Sequence, residues 1–375
     1  MTDIKPIIDP IPSRFGGEKL REWHESIKFE GYPPLPVVDW ASIGQSAPEV
    51  LTEENWDPQN PLPTADVVVM TWTSAEWAAM DHVFCDSGEE MSYYYYEDES
   101  WQDKWNFYSR GYDEIEGELP STAPSLTHKA WGRFCRVKLP GNDKTVLLFK
   151  SDMHISTDGQ GLPLRSLVQN IIDDSQPALL LTIGTAGGSR NEDFLGTTNI
   201  TNAGRFDLSG DLAGYDFNHK TFSNDWTPQT GLLKDVQSLL MTTPVTMEEL
   251  EYLAKQMEGY TLSQLINKEI TPGFLAPKIN VLDIPVLTTN GYEVGNTSGN
   301  YDYFACMEMD DAVIAMISDE NNQVFGIVRN ISDPVQNADL PEDVQSHWGS
   351  VIYKAYGLYT SYNGALATWA VLAAL

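Results

Sequence analysis

The chain is 375 residues long, with 23 Lys+Arg against 54 Asp+Glu and a formal charge of −31. At about 150 residues per domain this is one large or two medium domains with a full core, and the net charge argues against nucleic acid or an anionic membrane as partner. A hydrophobic content of 42% with 11% aromatics excludes an acidic disordered chain.

The cysteines, Cys85, Cys135 and Cys306, are widely spaced and show neither a disulfide framework nor metal-ligand spacing. The opening MTDIKPIIDPIPSRF lacks the basic start and apolar run of a secretory leader, and no apolar stretch reaches about 18 residues. The expectation is a cytoplasmic protein without metal or organic cofactor, whose apolar end at 363–375 is a buried terminal helix.

Residues 1–65 are Pro-rich and read as an N-terminal extension. DVVVMTW at 66–72 predicts a buried strand, and SAEWAAMDHVF after it a helix with Ser74 as cap. Residues 86–118 carry eleven acids interleaved with Tyr93 to Tyr96, Trp101, Trp105, Phe107 and Tyr108, the pattern of an inserted surface element. RFCRVKLP and KTVLLFKSDM read as strands, LPLRSLVQNIIDD as a helix, and PALLLTIGTAGG as a strand ending in glycines, together the grammar of an α/β sheet. Residues 213–280, with a helical VTMEELEYLAKQM, form a cover over the sheet. INVLDIPVLTTNGY, a helix-like FACMEMDDAVIAMISDE, the strand NQVFGIVRNISDP and a helix at 345–373 complete the chain.

In an open α/β sheet, ligands sit beyond the carboxyl ends of the strands. Four places qualify: Glu76, the GTAGG turn at 184–188, CMEMDDA at 306–312, and ISDP at 331–334. Each alone has a plain structural reading. Glu76 is a first-turn helix acid favoured by the macrodipole, the glycines end a strand, and Asp333 caps a turn.

In their order, however, VVVMTWTSAEWAAM, LLLTIGTAGG, MEMDDAVIA and VFGIVRNISD resemble the purine nucleoside phosphorylase and nucleosidase superfamily, notably its methylthioadenosine/adenosylhomocysteine nucleosidase branch. AGRFD at 203–207 and TTNGY at 288–292 extend the likeness, which covers about 66–375 with insertions near 86–130 and 213–280. The resemblance implies a three-layer α/β/α sandwich with a mixed central sheet, a homo-oligomer, and N-ribosyl hydrolase activity on an adenine-type purine nucleoside or nucleotide. By the same resemblance Asp333 protonates N7 of the purine beside Ser332, and Tyr292 stacks on the base. Glu308, Met309 and Asp310 hold the ribose, and Glu76 activates water. These roles match the chemical need, because breaking an N-ribosyl bond puts positive charge on the sugar and negative charge on the base.

The alternative is a phosphorylase using inorganic phosphate. Hexameric phosphorylases place an Arg where this chain has Thr182, which favours water. The segment SDMHISTDGQGLP at 151–163 instead resembles the phosphate loop of trimeric phosphorylases. It makes Ser151 and His154, with Gly184, Thr185 and Lys150, candidates for water or phosphate, and Arg165, Arg190 or Arg205 candidates for the charge. Two departures stand out: Asp310 replaces the family's glutamate, and Gly196-Thr197 replaces its Gly-Asp. A non-catalytic nucleotide sensor and a partner-binding role for the acidic insert are the competing classes.

Overall fold

The computed structural model describes residues 33–91, 99–242, 246–266 and 277–375. Tyr93 to Tyr96 and residues 1–32 lie outside the described residues, so the insert and the N-terminal extension are seen only in part. The strands are β1 (Glu49–Leu51), β2 (Val67–Thr71), β3 (Asn106–Tyr108), β4 (Gly132–Lys138), β5 (Thr145–Ser151), β6 (Leu179–Gly187), β7 (Thr198–Thr201), β8 (Ala203–Asp207), β9 (Thr221–Ser223), β10 (Ile279–Val281), β11 (Val286–Thr289), β12 (Met307–Glu308) and β13 (Phe325–Asp333). The helices are α1 (Ser74–Cys85), α2 (Leu164–Ser175), α3 (Gly231–Val236), α4 (Met247–Ala254), α5 (Leu262–Leu265), α6 (Asp311–Glu320) and α7 (Glu342–Ala373).

The strands form one mixed sheet in the order β1-β4-β5-β2-β6-β12-β11-β8-β9, with β13 branching from β6 and carrying β7 and then β10. β5, β2, β6 and β13 are mutually parallel where they pair, and β4 and β7 flank them antiparallel. The unbroken apolar runs are buried on both faces, as parallel strands covered by helices require. Val67, Val69, Leu179 and Leu181 enter one core with α1 and α7, whereas Val68, Met70 and Leu180 enter the other with α2 and α6. Period-two alternation therefore splits one run between two cores, and the architecture is a mixed α/β sandwich with helices on both faces.

Three local readings change. Thr73, not Ser74, caps α1, in a capping box with Glu76. FACMEMDDAVIAMISDE is helical only in its second half: Met307–Glu308 is a short strand, and α6 starts at Asp311. The helical cover at 213–280 consists of α3, which packs on α7, with α4 in the expected VTMEELEYLAKQM stretch and α5, and it also adds the strands β9 and β10 at the sheet margins. Gly196 takes φ 76 and donates its N–H to the Ile331 carbonyl at 2.9 Å, so a turn forms there with Thr197 in the next position. Among the described residues, no helix is long and apolar enough to cross a membrane.

Candidate active site

A cleft opens where β2, β6, β12 and β13 end and α1 begins, with about 720 Å³ of empty space, open solvent at its mouth included. Glu76, His154, Thr185, Tyr292, Glu308, Met309, Asp310, Ser332 and Asp333 all line it. Side chains from residues up to 257 positions apart therefore meet in one place, 333 − 76 = 257. Ser151 and Gly184 do not line the cleft. The Ser151 hydroxyl closes its own turn on the Met153 carbonyl at 2.9 Å, and Gly184 backs the Arg329 guanidinium, where a Cβ would come within 2.0 Å of Nη1.

The centre of the site is Arg329, which sequence reading missed. It sits on β13, 3% exposed, and its Nε and Nη2 donate to the two Asp311 carboxylate oxygens at 2.7 and 2.5 Å. Nη2 also reaches Glu308 Oε2 at 3.3 Å, and Nη1 reaches the Thr185 carbonyl at 3.3 Å. The Trp72 ring lies 5.2 Å from the guanidinium carbon. A buried arginine survives only with such partners. The signal was in plain view, as the one charged residue in the middle of the apolar run VFGIVRNIS.

Besides Asp311, three acids with different loads stand around Arg329. Burial pushes the Glu76 carboxyl up, but Arg329 and the donors from Thr185 and Thr73 outweigh it and hold the group below its ordinary value. Glu76 Oε1 accepts from the Thr185 N–H and hydroxyl, both at 2.6 Å, and Oε2 accepts from the Thr71 hydroxyl and the N–H groups of Trp72 and Thr73 at 2.8–3.1 Å. Glu308 accepts from the Thr288 hydroxyl and from the N–H groups of Asp310 and Asp311 at 2.5 and 2.9 Å. Burial and the neighbouring Asp311 push it up to about 7. Asp310 is pushed well above the carboxylate range by burial and by Glu308. Its Oδ1 accepts from the Ile155 N–H at 3.1 Å, and its Oδ2 faces His154 Nε2 at 3.3 Å.

His154 is held in one tautomer. The Ser156 N–H donates to Nδ1 at 3.2 Å, which leaves the proton on Nε2, facing Asp310. Burial lowers its pKa to about 4, so the ring is neutral at pH 7. Lys150 pairs with Asp152 at 2.6 Å, and Arg190 with Asp193 at 2.6 Å. Arg165 leans on Phe217, 5.8 Å from its centroid. Arg205 and Asp207 of the AGRFD segment line a separate groove with His219, Tyr301 and Tyr303.

Asp333 is aimed by a bulge. β13 runs in register with β6 up to Ile331↔Ala186 and resumes at Asp333↔Gly187, leaving Ser332 as the extra residue. A regular strand would point Ser332 and Asp333 to opposite faces, whereas the bulge lets both line the cleft. Burial raises the Asp333 pKa to about 6, against hydrogen bonds from Ser332 at 2.9 Å and Tyr292 at 3.0 Å that pull it down.

The wall therefore offers three acids raised by burial, Asp333, Glu308 and Asp310, one carboxylate held below its ordinary value, Glu76, and a single guanidinium. Such a site suits a substrate that becomes cationic at one atom and must be protonated at another.

No family model matches the chain, and no curated protein matches it. Solved structures do show likeness. A 5′-methylthioadenosine/S-adenosylhomocysteine nucleosidase from Neisseria meningitidis, in complex with methylthio-immucillin-A, is 14% identical with a TM-score of 0.43, over 84% of this chain and all of that one. Futalosine hydrolase of Helicobacter pylori is 9% identical with a TM-score of 0.45, over 82% of this chain and 97% of that one. The nucleosidase of S. pneumoniae with a transition-state inhibitor is 12% identical with a TM-score of 0.43, over 82% and 98%.

Proposed function

We propose that the chain is an N-ribosyl hydrolase that splits a purine nucleoside of adenine type into free base and sugar. The observation that carries this reading is one cleft holding Asp333, protonatable near pH 6, together with the acids Glu308 and Asp310, the ionised Glu76 and no uncommitted cation among its described lining residues. In this reading the C–N bond electrons move onto the base as Asp333 delivers its proton to N7. Glu308 and Asp310 hold the ribose hydroxyls, and Glu76, held ionised by Arg329 and its donors, favours the positive charge that develops on the sugar. Water then bonds to the anomeric carbon and loses its proton to Glu76.

Glu76 is a weak base by its lowered pKa, which suffices for water attacking a sugar that is already cationic. Its lone pairs are full, since a carboxylate offers about four acceptor sites and Glu76 takes five donors. A water must displace one of them. The hydroxyls of Thr71 and Thr185 can rotate away, whereas the backbone N–H groups cannot.

Water is favoured over phosphate because a phosphate dianion needs fixed positive charge. Arg329 is already bound to Asp311 and Glu308, Lys150 to Asp152, and His154 is neutral at pH 7. The same saturation of Glu76 favours, as a second reading, a nucleoside-binding protein that releases no base.

The test is chromatography of free base and sugar from a nucleoside and nucleotide panel, with and without phosphate. Base release without phosphate, lost in Asp333→Asn and cut in Glu76→Gln, is the expected result. Release only with phosphate refutes hydrolysis, and tight binding with no release under either condition supports the second reading.

A further inference from the structure

Tyr292 follows β11 in the TTNGY segment, where stacking on a base was the expected role. Its hydroxyl is committed elsewhere: it donates to Asp333 Oδ2 at 3.0 Å. The other Asp333 oxygen, Oδ1, accepts from the Ser332 hydroxyl at 2.9 Å, and that hydroxyl also lies 3.4 Å from the Ala186 carbonyl. The two contacts differ in kind. Ser332 has a second acceptor within reach, so its hydroxyl can turn to Ala186 when Oδ1 takes up a proton. The phenol of Tyr292 is kept protonated by burial and by the neighbouring carboxylate, and remains a donor.

Two glycines on different elements make the Tyr292 contact possible. A Cβ on Gly349, inside α7, would lie 2.7 Å from the Tyr292 hydroxyl oxygen and 3.6 Å from Asp333 Oδ2. A Cβ on Gly187 of β6 would lie 3.1 Å from the same Oδ2. Glycine inside a long helix weakens it, so a helical Gly349 facing this phenol is a local cost that clears space for one hydrogen bond. The other titratable groups on this part of the wall are Glu293, next to Tyr292 in the chain, and Tyr353 of α7, whose charge bears on Tyr292.

We propose that Tyr292 is a positioning residue that pins Oδ2 of Asp333, so that Oδ1 is the oxygen that hands its proton to the leaving base. This rests on the hydrolase reading above. As the proton passes from Oδ1 to the base nitrogen and the glycosidic electrons move onto the base, Asp333 is left as a carboxylate. The Tyr292 hydrogen bond strengthens as that charge forms, so it acts on the transition state more than on the bound substrate.

Tyr292→Phe keeps the ring and removes the donor. Expected are a fall in kcat of roughly ten- to a hundred-fold, the range for a hydrogen bond to a charged group, and a KM within about a factor of two. A donor favours the ionised carboxyl, so its loss raises the Asp333 pKa by on the order of one unit. The alkaline limb of the kcat/KM profile moves up in pH with it.

The same shift is read without turnover by carbon-13 NMR titration of aspartate carboxyls in the full chain, with Asp333→Asn assigning the signal. Gly349→Ala, which crowds the phenol while keeping it, should shift that midpoint upward as well. A midpoint unmoved in both variants, or a raised KM at unchanged kcat, overturns the proposal in favour of stacking alone. Absence of base release by the wild type, with the midpoint still shifting, would sink the hydrolase reading and the catalytic half of this proposal while leaving the pinning contact in place.

Discussion

Replacing Arg329 with Met should cost the protein more stability than any other single change in the cleft. The guanidinium is 3% exposed and touches Asp311 twice, at 2.7 and 2.5 Å, and Glu308 at 3.3 Å, while its charge also bears on Glu76. Methionine fills similar space but strands these three buried carboxylates. Breaking a buried pair from one side costs about 3–5 kcal/mol, a large part of the roughly 5–15 kcal/mol that holds a typical domain. Asp311→Leu should cost less, about 1–3 kcal/mol, because Arg329 keeps Glu308 and the Thr185 carbonyl. The order of the two losses is therefore as informative as their size. In the Arg329 variant the stranded Glu308 and Glu76, raised by burial and without the guanidinium that lowers them, have folded pKa values above their unfolded ones. Their stabilising protonation is complete below the unfolded value near 4.3 and fades as pH rises through the folded one, so the loss should be smaller at pH 5 than at pH 7. Urea unfolding at both pH values, with an unchanged m value, measures this. A loss below about 1 kcal/mol at pH 7, or a larger one for Asp311→Leu, would show that Arg329 does not hold the acid cluster together.

Gly184→Ala tests the same frame from the β6 side. The added methyl would meet Nη1 at 2.0 Å and Glu76 Oε1 at 3.0 Å, so a loss of about 1–3 kcal/mol by overpacking is expected in the same unfolding assay, with reduced turnover. If Asp333 is the acid, kcat/KM of the free enzyme should fall as pH rises through about 6. A profile flat from pH 5 to 8 would remove Asp333 from that role.

The sheet was legible because burial on two faces writes itself as unbroken apolar runs, and DVVVMTW, KTVLLFK, PALLLTIG and VFGIV all became neighbouring central strands. Chain ends of elements were less legible. The helix expected over 304–320 is drawn too early because Cys306, Met307 and Met309 sit at helix-compatible spacing, while Met307–Glu308 is a short strand that sets Met307 opposite Gly187 and the helix runs only from Asp311 to Glu320. Nothing in side-chain periodicity distinguishes an apolar residue buried by a helix from one buried by a two-residue strand. The bulge at Ser332 was equally invisible, since it is a property of two paired strands rather than of either one.

Glu76 shows where sequence logic stops for a deeper reason. Its two readings, first-turn helix acid and cleft acid, are alternatives in the sequence, yet the structure gives it both positions at once: it completes the capping box of α1 with Thr73, and it lines the cleft beside Thr185. The capping geometry is what fixes the carboxylate, since the N–H groups of Trp72 and Thr73 hold one oxygen and those of Thr185 the other across the sheet. A carboxylate built into a helix start cannot swing, so Glu76 is preorganised and also saturated. That combination makes Glu76→Gln diagnostic beyond activity. Glutamine keeps one acceptor oxygen but turns the other position into a donor facing N–H groups. The variant should therefore lose stability by about 1–3 kcal/mol, as unsatisfied buried polar groups do, even before its turnover is measured. A variant that lost turnover with no loss of stability would instead mean that the capping network is dispensable, and that Glu76 is in the site for its chemistry alone.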